Sequence, residues 1–267
     1  MRDIARRRRS TEKVRSAALT ARINPATGTP QYGNRILDQL PPTELERIAP
    51  DLQAVTVRVR QSMVAPQTSI EKIYFPVTFV ASAITEMRDG SAVEIGTIGR
   101  EGVVGIDALL GGESMPNQIF AQVRGDGFCI SRSDFVKHAI GNPIFDGLLC
   151  RYARVFGYAV AQSVACNRLH SLPQRCARWL LMTHDRVGHD TFYLTQEFLA
   201  YMLGVHRPSV SVVASELQKL HLMDYRRGKI TILDRLGLEN ASCECYEVNV
   251  RQYEEIMSSG QLHPRSM

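Results

Sequence analysis

The sequence predicts an α+β chain: an N-terminal antiparallel β-roll, jelly-roll-like in its strand pattern, then one long helix, then a C-terminal helix pair followed by a small hairpin. Three observations carry this reading. Short β-rich runs punctuated by glycine fill the stretch from Leu52 to Ile130. An apolar period of three and four residues then runs from Pro143 to Val164. Residues 194–233 alternate helix and hairpin signals. The chain divides into an extension (1–32), the roll (33–140), the long helix (141–170), the helix pair with its hairpin (171–240) and a tail (241–267).

A length of 267 residues suits two modest domains, and 44% hydrophobic with 22% charged residues is ordinary for a globular protein. No apolar run approaches the roughly 18 residues of a membrane span, and no apolar region follows the first arginines as in a signal peptide. The expectation is a cytoplasmic protein with no membrane partner. The six cysteines (Cys129, Cys150, Cys166, Cys176, Cys243, Cys245) are then expected as reduced, mostly buried thiols. The net charge of +5 is unevenly spread: residues 1–24 carry +6 and the remainder sums to −1. Arg6-Arg7-Arg8-Arg9 would add nonspecific contact to a polyanion or simply form a solvated charge run, and the run reads better as the latter.

Within the roll, Ile36–Leu40 and Thr43–Ala49 read as short helical pieces. Leu52–Val59 alternates as a strand, Ile73-Tyr74-Phe75-Pro76 is apolar, and Val80–Met87 passes through Asp89-Gly90 into Ala92–Ile98. An Asp-Gly between two β-rich runs is a hairpin signal. Gly96, Gly99, Gly102, Gly105, Gly111 and Gly112 read as turns before the strands at Ile119–Val123 and Phe128–Ile130.

The long helix repeats apolar residues like a coiled coil. Leu148, Leu149, Tyr152, Val155, Phe156, Ala159, Val160 and Ser163 are the expected seam against a second copy, making the protein a homodimer. Leu172–Arg186 is one more amphipathic helix.

Residues 194–220 are read as two short helices joined at Gly204. Thr195 caps the first, Ala200 is small where the helices should cross, and glycine takes the positive φ of the turn. The second starts at His206-Arg207-Pro208, where proline fits a first turn. Val210, Val213, Leu217 and Leu220 share one face; Arg207, Ser209, Ser211, Val212 and Ser215 lie on or beside the opposite one. Arg226-Arg227-Gly228-Lys229 then tips a hairpin with cations. A helix-turn-helix with a basic hairpin is a winged helix, which points to double-stranded DNA as partner. Segment 172–235 carries nine Lys/Arg against six Asp/Glu, three of the nine at the wing tip.

The order of roll, long helix and winged helix resembles the Crp/Fnr family of bacterial transcription regulators over about residues 33–240. Tyr74-Phe75-Pro76, the segment Val93–Gly102, Arg178-Trp179-Leu180-Leu181 and the stretches Leu194–Glu197 and Tyr225–Gly228 carry the likeness. The resemblance implies a homodimer on an inverted-repeat operator and contact with RNA polymerase. It assigns base reading to Arg207 and Ser209 with His206 and Ser211 beside them, and Thr195, Ser215, Arg226, Arg227 and Lys229 to the DNA backbone. Arginine suits guanine, since its fork donates to O6 and N7 together. Pro208 stands where the family often has glutamate, so a different operator is expected. Family members that bind cyclic nucleotides resemble one another in a Gly-Glu pair and an Arg-Ser or Arg-Thr pair. Here Gly105 precedes Ile106-Asp107, and Met115–Ile119 supplies no arginine. A buried phosphate without a cation is disfavoured, so a cyclic nucleotide is not the expected effector. Iron–sulfur members carry an N-terminal cysteine cluster, and this chain has no cysteine before Cys129.

Other chemistry finds little support. Gly96–Gly102 lacks the following helix that a phosphate cradle needs, and no nucleophile elbow or acid–base pair stands out; an enzyme is not expected. Cys243-Glu244-Cys245, with His221 or His263, offers too few ligands for a metal, and no cofactor is expected. The competing reading is a metal- or thiol-dependent redox or sensor protein that uses Cys243 and Cys245, with the winged helix serving protein contacts.

Overall fold

The computed structural model describes residues 22–23 and 30–258. The arginine run at 6–9 and His263 lie outside these residues. Two short paired strands, β1 (Arg22–Ile23) and β2 (Pro30–Gln31), precede a helix α1 (Pro42–Ile48). Seven strands then form the roll: β3 (Gln53–Val57), β4 (Ser62–Val64), β5 (Lys72–Pro76), β6 (Val80–Glu86), β7 (Ala92–Ile98), β8 (Gln118–Val123) and β9 (Gly125–Ser131). They make two antiparallel sheets, ordered β3-β9-β5 and β4-β8-β6-β7. Phe75, Phe79, Ile73 and Ile130 are fully buried in the roll. Strand β4 was not expected, because three residues among polar neighbours give no period to read.

The expected β6–β7 hairpin forms, with Gly90 at φ 80° and the Asp89 carboxylate accepting from the Ser91 N–H at 2.9 Å. The glycines after it divide into two kinds. Gly105 and Gly111 have positive φ, as turn glycines do. Gly96, Gly99 and Gly102 do not; an added Cβ there would meet Phe156, Arg186 and Tyr152 at 2.9, 2.5 and 2.2 Å. These three are points of close approach, where helices from outside the roll lie directly on its backbone.

Helix α2 (Arg132–Ala139) leads into α3 (Pro143–Leu169), a 27-residue rod about 40 Å long. Asn142 caps α3 by accepting from the Ile144 and Phe145 N–H groups. Helix α4 (Leu172–Val187) starts after one break, capped by Ser171 and Gln174, and ends at Gly188 with φ 71°. Next come β10 (Thr191–Tyr193), α5 (Gln196–Leu203), α6 (Arg207–Lys219), β11 (Met223–Arg226), β12 (Lys229–Ile232) and α7 (Arg235–Ala241). The region expected as a tail contains a 14-residue helix, α8 (Cys245–Ser258). It runs antiparallel along α3: Cys245 meets Gln162 near one end, and Met257 reaches the roll core at the other. Among the described residues, no helix is long and apolar enough to cross a membrane.

The C-terminal domain has its own core, which includes Trp179, Leu180, Leu199, Val213 and Leu238. That core continues onto the outer face of the four-stranded sheet through Val80, Ile84, Phe120 and Val123. Phe120 and Phe198 meet edge to face at 5.8 Å, so the roll and the first helix of the pair pack directly on each other.

Candidate nucleic-acid interface

Helix α5 begins at Thr195, whose side chain accepts from the Phe198 N–H at 3.1 Å, and ends at Gly204 with φ 63°. Ala200 is 4% exposed at the crossing, and its carbonyl accepts from the Val205 N–H at 3.0 Å. Both features follow from residue type: a small side chain lets the helices touch, and only glycine makes that turn without strain. Helix α6 then buries Val210, Val213, Ala214 and Leu217, and leaves His206, Arg207, Pro208, Ser209, Val212 and Ser215 exposed. Leu220, expected on the buried face, is 65% exposed at the helix end.

The wing is fastened beside it. Tyr225 donates its hydroxyl to the Leu194 carbonyl at 2.9 Å, and the Leu194 N–H donates to Gly228 at 2.7 Å. Arg226 pairs with Lys229 across a two-residue turn in which Arg227 and Gly228 both have positive φ, 50° and 77°. This is the turn geometry that matches strand twist, but a non-glycine residue at positive φ costs roughly 1–2 kcal/mol. Arg226, Arg227 and Lys229 are all exposed, with Arg226 held toward Asp224 at 3.2 Å.

The expected readers thus divide. His206, Arg207 and Ser209 present free surface at the start of α6, as Ser215 does further along. Ser211 is only half-exposed, and its hydroxyl is engaged with Gln196 at 2.7 Å and with the Arg207 carbonyl at 3.2 Å. It braces the two helices rather than facing outward. Arg175, which sequence reasoning did not single out, donates to the Leu203 carbonyl and so caps α5 from α4.

The residues expected in the dimer seam lie largely against their own chain. Leu148, Leu149, Tyr152, Val155 and Ser163 are buried within their own chain, and Phe156, Ala159 and Val160 are half-buried, Phe156 and Val160 near Gly96. The open face of α3 is a neighbouring one: Arg154, Gly157, Tyr158, Ala161, Val164 and Arg168, again at three- and four-residue spacing. Both faces carry apolar residues, so periodicity alone does not say which one the roll takes.

The joint between roll and winged helix is polar at its centre. Half-buried Glu94 accepts from Trp179 Nε1 at 2.8 Å and lies 2.6 Å from Ser82, which is itself 2.6 Å from Gln122. Burial pushes the Glu94 carboxyl up to about 7, against the pull of Ser82, Trp179, Arg178 and Arg186. Arg186 bridges to Glu101 at 2.8 Å. A cavity of about 540 Å³ opens beside this joint, lined in part by Arg35, Arg100, Glu101, Tyr152, Arg186 and Tyr253.

A second cluster lies at the far end of α3. Cys243 and Cys245 do not meet His221; they meet Cys166 and His170. The four ligand atoms all lie within 4.8 Å of one another. Two expected ligands were too few; the fold supplies two more.

An exposed second helix, a braced partner helix and a cationic wing make up a winged helix. Residues 174–241 match the model of the Crp-like helix-turn-helix domain. By sequence, no curated protein matches the chain. In structure it is similar to FixK2 of Bradyrhizobium japonicum, with a TM-score of 0.62 and 17% identity over 72% of this chain and 98% of that one. It is also similar to a Crp/Fnr family regulator of Eubacterium rectale, with a TM-score of 0.60 and 17% identity over 77% and 96%. A third similar structure is the c-di-GMP responsive global regulator CLP of Xanthomonas campestris, with a TM-score of 0.54 and 16% identity over 71% and 98%. The chain thus carries a Crp-like helix-turn-helix domain over residues 174–241 and shares the overall fold of solved Crp/Fnr family regulators.

Proposed function

We propose that the protein binds an inverted-repeat operator on double-stranded DNA as a homodimer and acts on transcription through RNA polymerase in the cytoplasm. The observation that supports this best is the surface formed by His206, Arg207 and Ser209 beside Arg226, Arg227 and Lys229. All six are exposed, and they sit on α6 and on a wing held to α6 by Gln218, which accepts from the Tyr225 N–H at 2.8 Å, and to the segment before α5 through Leu194. The helix reads base edges in the major groove, and the wing neutralises phosphates. Thr195 and Ser215 add backbone contacts at its margins. For the dimer, the open seam of α3 through Gly157 and Ala161 is the face left for a second copy.

The protein's effector is not a cyclic nucleotide in this reading, since the roll offers no arginine between Met115 and Ile119 for a cyclic phosphate. The competing reading, in which the winged helix serves protein contacts for a thiol-based sensor, gains nothing from the cysteine cluster, which lies outside the exposed reading surface.

Two substitutions test the interface in a binding titration against salt. Arg207→Ala is expected to lose about 1–3 kcal/mol on the preferred site and to relax the sequence preference. Lys229→Ala is expected to weaken all DNA alike and to reduce the salt slope by about one unit. Unchanged affinity, preference and salt slope in both variants would sink the reading.

A further inference from the structure

We propose that Cys166, His170, Cys243 and Cys245 bind a single tetrahedral zinc ion, which fastens the C-terminal helix α8 to the end of the long helix α3.

The geometry comes first. Cys166 Sγ and Cys243 Sγ are 3.5 Å apart, and Cys245 Sγ is 3.5 Å from His170 Nδ1. Zinc–thiolate bonds of about 2.3 Å and zinc–imidazole bonds of about 2.0 Å put tetrahedral ligand atoms roughly 3.5–3.8 Å from one another. A cluster of four atoms within 4.8 Å therefore closes on one ion with a small contraction. An iron–sulfur cluster interposes its own irons and sulfides between the ligands and needs a wider ring.

The fold explains why the four converge. Cys166 and His170 are four residues apart and share one face at the end of α3. Cys243 lies two residues before Cys245, the first residue of α8, and the antiparallel packing of α8 on α3 brings both over that face. The three cysteines are 0%, 4% and 0% exposed and form a patch of their own, joined to neither of the two large hydrophobic cores. Three buried thiols set apart from the apolar cores suit a metal better than packing.

The surrounding groups point the same way. His170 turns Nδ1 toward the thiols, while Nε2 lies 3.1 Å from the Glu244 carboxylate. A carboxylate on the far nitrogen fixes the tautomer that presents a lone pair to a metal. Gln162 donates Nε2–H to Cys245 Sγ at 3.0 Å, as amides do to metal-bound sulfur. Zinc on three thiolates and a neutral imidazole carries one net negative charge. Arg178, buried on α4, is among the charges that act on Cys166. Binding would release the thiol protons and tie the tail to the point where the winged helix begins.

The test uses the full chain purified under reducing conditions. Elemental analysis is expected to find about one zinc per chain. Cobalt added after zinc removal is expected to give the visible bands of a tetrahedral site and thiolate-to-cobalt charge transfer. Cys243→Ser should lose both signals, Cys150→Ser should lose neither, and His170→Cys should keep a tetrahedral spectrum that His170→Ala does not. The wild-type cobalt spectrum decides the matter even where a variant fails to fold. No metal and no charge-transfer band in the reduced wild-type chain would overturn the site. Iron and sulfide in protein purified without oxygen would overturn the single ion.

Discussion

At Glu94, one carboxyl couples the two domains. The Ser82 hydroxyl lies 2.6 Å from both the Glu94 carboxyl and the Gln122 side-chain oxygen, so the carboxyl is held in a polar row between strand and helix. The raised value of about 7 means that the folded chain holds a proton that the unfolded chain, with a carboxyl near the ordinary 4.3, has lost. Between those values the folded state binds more protons, so this contribution to stability is complete below about pH 4 and is lost as pH rises through 7. The melting temperature is expected to fall from pH 5 to pH 8 on this account, and Glu94→Gln is expected to flatten that fall. An equal slope in the variant would show that Glu94 does not titrate in this range. Single residues were read well from sequence where local chemistry fixes them, as at Thr195 and Gly204. They were read poorly where only a distant neighbour does. Gly102 does close a turn on Gly99, but what requires glycine there is Tyr152 lying against it, and Ser211 spends its hydroxyl on Gln196.

Among the elements, the helix pair and wing were legible because cap, small residue, turn glycine and apolar period are all local signals that agree. The long helix was legible as a helix, but not in its facing. Leu149 and Tyr152 belong to the roll core, and the seam through Arg154, Gly157, Ala161 and Val164 remains open. Gly157 and Ala161 are small enough for two helices to approach closely at that point. Ala161→Glu puts like charges across a two-fold axis, and sedimentation is expected to show dimerisation at least tenfold weaker, about 1.4 kcal/mol. An unchanged dimer in that variant would move the interface elsewhere. Helix α8 was read as a tail because its pairing with α3 joins residues 77 positions apart, as at Cys166 and Cys243. Such proximity leaves no trace in spacing.

For the whole molecule, the architecture was legible because the period changes twice along the chain, from strand to helix at Pro143 and again at the wing. The domains touch through Phe120 and Phe198, through Glu94 and Trp179, and through Glu101 and Arg186. They leave the start of α6 and the wing tip facing outward. The central claim is that this surface reads an operator in duplicate. The most direct measurement is selection of bound DNA from a random pool by the purified chain without added ligand, followed by a salt titration on the winning site. The account predicts an inverted repeat with half-sites about one helical turn apart and a steep salt dependence. Enrichment of no sequence, or of a single unrepeated half-site, would contradict it.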